Sequence, residues 1–113
     1  MPRRGDVFMA RLDPHQGSEQ AGSRPVVVVS RDSISQNSLV VLVVPVTDRR
    51  HKQRIYPSQV VLKQGDGGLT KESVALGGQV RAISTSRFIR QMGHLSANGI
   101  AEIGQALRIA LDL

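Results

Sequence analysis

The sequence predicts an α+β domain dominated by β-structure, and three observations carry that prediction. Fourteen valines and seven isoleucines gather into short runs, the composition of pleated, half-buried strands. The last quarter changes period, because Ile100, Ile103, Leu107 and Leu111 recur at steps of three and four, as on one face of an amphipathic helix. A length of 113 residues supports one core and one domain, taken as residues 1–113, with no room for a second.

The first strand is Asp6–Leu12. The second, Pro25–Ser30, has a proline at its entrance and four consecutive valines. The third is Leu39–Val46, followed by Thr47. Runs apolar at every position suit strands covered on both faces or closed into a small barrel. Pro45 lies late in its run, where an edge or a bulge is expected. Shorter strands follow at Gln59–Lys63, Ser73–Leu76 and Gln79–Ile83. A short helical turn is expected over Ser86–Gln91, ended by Gly93. Ser96 is placed to cap the terminal helix, and Asn98-Gly99 predicts fraying at its start.

Three loops separate these elements. Asp13–Ser23 is polar, with two glycines; Asp48–Pro57 carries Arg49, Arg50, Lys52 and Arg54 against the single acid Asp48; Gln64–Gly68 is a glycine-rich hairpin turn. A long polar loop in a small domain is commonly a binding loop, and the basic one is the better ligand surface.

Several chemistries are excluded. With no cysteine there is no disulfide framework, thiolate nucleophile or zinc ribbon. His15, His51 and His94 lack metal-ligand spacing, and no Walker or dinucleotide glycine pattern occurs. The longest apolar run has eight residues, against the roughly 20 of a spanning helix. The N-terminus lacks an apolar signal region. The expectation is a cytoplasmic protein without membrane, metal or cofactor.

Charge points to a polyanion. The net charge is +6, and twelve of the fifteen cations are arginine, which grips phosphate bidentately and stacks on bases. Nucleic acid is the leading partner class. Polar residues at strand ends supply candidates: Arg24 opens the second strand, Thr47 closes the third, Gln79 and Arg81 alternate along a late strand and so share a face, and Glu19 lies in the loop before Arg24.

The stretch Gly5-Asp6-Val7-Phe8, then Leu12-Asp13-Pro14, then Gly17-Ser18-Glu19-Gln20-Ala21-Gly22-Ser23-Arg24-Pro25 running into the valine strand, closely resembles the opening of the MazF/PemK (Kid) family of toxins. The resemblance continues through Val44-Pro45-Val46-Thr47, Val74-Ala75-Leu76 and Gln79-Val80-Arg81 to the terminal helix. It implies an SH3-like small barrel of the CcdB/MazF type, a homodimer, and a metal-independent endoribonuclease (an mRNA interferase) acting on single-stranded RNA. It also implies a cognate MazE-like antitoxin whose tail occupies the RNA site. The homodimer has a geometric motive too, since the valine strands are apolar on both sides and the terminal stripe is broad for one small sheet. Many members carry an acidic residue just before the late-strand glutamine; here that position is Gly78, so its carboxylate is done without or comes from Glu19.

Cutting RNA without a metal uses the 2′-hydroxyl as nucleophile, so the protein must orient the backbone, move two protons and stabilise added negative charge. Under the resemblance, Arg24 stabilises that charge and serves as a possible proton donor, Thr47 holds the scissile phosphate, and Glu19 is a general base or a base-edge acceptor. Gln79 and Arg81 bind base edge and phosphate, while Arg49, Arg50, Lys52 and Arg54 lie along the RNA path. A His15–His51 pair is chemically possible, although nothing in the spacing joins them. Two other classes fit the resemblance: a catalytically weak RNA-binding or regulatory member, and a CcdB-like gyrase poison. The latter needs a terminal tryptophan segment, and this chain has no tryptophan.

Overall fold

A computed structural model describes residues 2–12 and 22–113. Glu19, His15 and most of the first polar loop lie outside the described residues. The elements are β1 (Asp6–Arg11), β2 (Ser23–Val28), α1 (Asp32–Gln36), β3 (Val40–Asp48), β4 (Gln59–Leu62), β5 (Ser73–Leu76), β6 (Arg81–Ser84), β7 (Phe88–His94) and α2 (Ala97–Leu111). Every pairing is antiparallel, in the order β4-β5-β3-β2-β1-β7 with β6 also on β3. Among the described residues no helix is long and apolar enough to cross a membrane.

The uninterrupted valine runs are explained by cover on both faces. Val27 and Val29 of the second run enter one core cluster with Val7, Val44, Val46 and Ile103. Their neighbours Val26 and Val28 enter the opposite cluster with Ala10, Leu12, Val41, Val43 and Ile83. Successive side chains of a strand point to opposite faces, so a strand with a core on each side has no polar position to spare. The second cluster is flanked by Phe8 and Phe88, stacked with centroids 4.1 Å apart.

Strand β3 organises the sheet. On one flank it pairs with β2; on the other, Val40–Val43 pair with β6 and Val46–Asp48 with β5. Pro45 is buried in this interior strand, so the edge expected for it is not found. Its position still follows from its missing N–H, because residues 44 and 45 fall in the gap where β3 changes partners. Barrel-like closure comes from packing rather than a further ladder: the turn Asp66–Gly68 after β4 packs on β7. The approach is so close that a Cβ on Gly68 would lie 2.1 Å from the Met92 carbonyl oxygen. Only glycine fits there.

Two of the expected elements differ in the structure. The segment expected as helix over Ser86–Gln91 is a 3₁₀ turn, Thr85–Arg87, followed by strand β7 on β1. Two register irregularities in that pairing disturb the alternation that marks a strand, which hid it from a periodicity reading. Gln79 is not on a strand with Arg81: it ends the 3₁₀ turn Gly77–Gln79, and β6 begins at Arg81.

Helix α2 starts where expected, with Ser96 Oγ accepting from the Gly99 N–H at 3.1 Å. The start is doubly held, not frayed. Asp66 accepts from the Ser96 backbone N–H at 2.8 Å and from its hydroxyl at 2.9 Å. The turn after β4 thus places the helix that covers the first core. Ile103 is buried, Ile100 and Leu107 pack on the cluster, and Leu111 is exposed past its end.

Candidate functional site

Strands β1, β2, β3 and β7 converge on a cavity of about 320 Å³. Its floor is apolar, built from Met9, Pro25, Val46, Leu69 and Met92. Its polar wall includes Arg24, Thr47, Asp48, His51, Lys71 and Arg90. Three of these are cationic and one is a carboxylate, so the cavity favours an anion. Carbon below and positive charge around the mouth match a flat base with its phosphate.

Arg24 and Thr47 meet because of register. Val26 pairs with Pro45, and the same antiparallel register carried two residues on sets Arg24 opposite Thr47. They lie beyond the last β2–β3 pair, where β3 has turned to β5 through Thr47–Val74. The cavity opens where the two strands part. Thr47 is 5% exposed, and its hydroxyl hydrogen-bonds to no described residue. A buried hydroxyl at a cavity wall with no partner among the described residues is set up for a ligand atom.

Asp48 ties the wall together. Its carboxylate bonds the Arg50 guanidinium at 2.8 Å and lies 3.3 Å from Lys71 Nζ. It also accepts the Arg50 backbone N–H at 2.9 Å, capping the 3₁₀ turn Arg49–His51. Arg50, through both hydrogen bonds, holds the Asp48 carboxyl well below the usual carboxylate range, and Lys71 adds to this. The same pairing raises Arg50 further above its ordinary value. The shift favours the charged carboxylate at neutral pH.

The predicted residues divide. Arg24 and Thr47 come together; Glu19 lies outside the described residues. Arg81 sits across β3, opposite Val43, and Gln79 is in the preceding turn; neither lines the cavity. Arg49, Arg50, Lys52 and Arg54 also stand off it. Arg50 is engaged by Asp48, the Arg49 guanidinium donates to the Lys52 carbonyl, and Arg54 lies 5.9 Å over the Tyr56 ring. Sequence reasoning missed Lys71 and Arg90. Arg90 pairs with Met9, a placement visible only once β7 is read as a strand. Lys71 sits two residues before Ser73, the partner of Asp48. Among the described residues no three His, Asp or Glu side chains gather as a metal site would need.

The fold is a small antiparallel barrel with a cation-walled, carbon-floored cavity between its strands, a surface whose chemistry suits a phosphate-bearing ligand. The chain belongs to the PemK-like, MazF-like toxins of type II toxin–antitoxin systems, whose family model matches residues 3–111. It is 40% identical to endoribonuclease MazF9 of Mycobacterium tuberculosis, over all of this chain and 98% of that one. It is 39% identical to endoribonuclease MazF of Staphylococcus saprophyticus, over all of this chain and 93% of the relative. Among solved structures, a MazE–MazF complex from Deinococcus radiodurans superposes with a TM-score of 0.77 at 26% identity, covering 99% of this chain and 96% of that one. The expected α+β fold, β-dominated and of the MazF type, stands.

Proposed function

We propose that this toxin is an endoribonuclease that cuts single-stranded RNA at the Arg24–Thr47 cavity, by attack of the 2′-hydroxyl on the adjacent phosphorus and without a metal ion. The observation that carries the reading is the meeting, on one cationic wall, of a guanidinium and a buried hydroxyl that has no partner among the described residues. Arg24 stabilises charge on the non-bridging oxygens, and Thr47 donates to the phosphate and holds it in line. The apolar floor supports the neighbouring base, and Lys71 and Arg90 attract flanking phosphates. A wall rich in fixed cations is a poor seat for a metal ion and a good one for the substrate's own charge. Gln79, Arg81 and the basic residues after Asp48 lie farther along the RNA path, where they give affinity and sequence preference. The partners are a MazE-like antitoxin, in line with the relatives crystallised with theirs, and a second copy of the chain, acting in the cytoplasm.

The test is cleavage of a fluorogenic RNA in EDTA. Wild type should cut with chelator present, and Arg24→Ala should be slower by about 10²–10³ with its fold intact. Thr47→Ala should lose less, since a neutral hydroxyl supplies less than a guanidinium. Binding without cutting by wild type would favour a regulatory RNA-binding protein instead.

A further inference from the structure

Arg24 and Thr47 are suited to charge and orientation, so the proton of the attacking 2′-hydroxyl needs another recipient, and Glu19, the candidate from sequence, lies outside the described residues. The same cavity wall holds His51. Its ring is exposed and hydrogen-bonds to no described residue, so it is open to substrate. Its backbone is pinned: Asp48 caps its 3₁₀ turn through the Arg50 N–H, and the Arg49 guanidinium clasps the Lys52 carbonyl on the far side. A side chain carried on a fixed turn and facing a reacting phosphate is held ready for proton transfer.

We propose that His51 is the general base of the cleavage, its neutral imidazole taking the 2′-hydroxyl proton as that oxygen attacks phosphorus. This rests on the endoribonuclease reading above. The bond from O2′ to phosphorus forms while that from phosphorus to O5′ breaks. O5′ leaves with the electron pair and takes a proton from water. The products are a 2′,3′-cyclic phosphate and a 5′-hydroxyl, and His51 returns its proton to solvent. Imidazole is the side chain that ordinarily exchanges protons near neutrality. The charged groups sharing its wall are Arg24 on β2, Asp48 on β3, Lys71 ahead of β5 and Arg90 on β7. Guanidinium and ammonium groups ordinarily keep their protons through that range. Asp48 is depressed far below it, and a lowered carboxyl titrates only as pH falls through the lowered value. Asp48 therefore supplies no acid limb near neutrality. Glu19 is the competing base.

Single-turnover rates at saturating RNA, followed across the pH range for wild type, His51→Gln and Glu19→Gln, decide the matter. Wild type should slow on the acid side with an inflection near neutrality. His51→Gln should be slower by about 10²–10³ and flat on that side, with RNA affinity within about threefold of wild type. An acid limb that persists in His51→Gln, or a loss confined to affinity, would overturn the assignment. So would a limb that vanishes only in Glu19→Gln. Wild type that cuts no RNA at any pH would bring down the endoribonuclease reading itself, whereas cutting unaffected by His51→Gln removes His51 alone.

Discussion

Gly77 and Gly78 are neighbours with opposite tolerances. A Cβ on Gly77 would lie 2.5 Å from the backbone oxygen of Ser58, while at Gly78 its nearest contact would be the Ser58 hydroxyl at 3.8 Å. The first glycine is dictated by packing of its turn against the chain before β4; the second is not. Gly78→Ala should therefore be neutral or stabilising, by up to about 1 kcal/mol, through the entropy it removes from the unfolded chain. Gly77→Ala should destabilise by about 1–3 kcal/mol, because the backbone must move. Urea denaturation of the two variants checks this, and equal effects would contradict it. The carboxylate that the family resemblance leads one to expect at position 78 is thus not barred here by backbone or space. Gly78→Asp should fold, and its cleavage rate would show directly whether this chain gains from a group it lacks.

At the scale of elements, cations must be sorted by where the strands put them. The loop after β3 attracts attention in sequence because four of its residues are basic. In the fold, Asp48 is shared by Arg50 and Lys71, and Arg49 is bound to a carbonyl; Lys71 and Arg90 nevertheless line the cavity, whereas Arg49 and Arg50 do not. Each phosphate contact to a single strand contributes about 0.7 to the salt slope, so Lys71→Gln with Arg90→Gln should flatten it by up to about 1.4, reached where phosphate displaces Asp48 from Lys71. Replacing Arg49, Arg50, Lys52 and Arg54 by Gln should flatten it by about one, less than the ~2.8 of four free contacts. RNA titrations between low and moderate salt measure both; a larger effect from the loop set would reverse the ranking. Single-turnover rates at saturation should change little for Lys52→Gln with Arg54→Gln, whose side chains do not hold the turn that carries His51.

The difference between these two sets marks the limit of what was legible in the chain. Strands β1 to β5 and helix α2 were readable because burial on one or both faces imposes a periodicity or an uninterrupted run. Arg24 and Thr47 were readable as strand ends. Strand β7 was not: its bulged pairing with β1 leaves Phe88–Met92 without clean alternation, so Arg90 could not be placed beside Met9. The gathering of Lys71, Arg90 and His51 is a product of long-range register, which no local pattern carries.

For the whole molecule, the structure changes the motive for a dimer while leaving the expectation. The valine strands do not need a partner, because one chain covers both faces of β2 and the centre of β3. What remains uncovered is the leading end of β3. The face that enters the core at Val44 and Val46 continues outward through Val40 and Leu42, 46% and 41% exposed, next to Leu39 at 79%. Ile34 of α1 adds a further half-exposed side chain. Large apolar side chains standing together on a small domain mark an interaction surface. A second copy is the occupant consistent with this family reading, and a stable pair would need to bury about 800 Å² on each partner. Sedimentation at micromolar concentration should find a dimer. Leu39→Asp with Leu42→Asp should shift it to monomer without loss of secondary structure, since both side chains already face water within one chain. A monomeric wild type would refute the assembly. A dimer that survives both substitutions would move the interface elsewhere, with the exposed Ile109 and Leu111 at the end of α2 as the next surface to test.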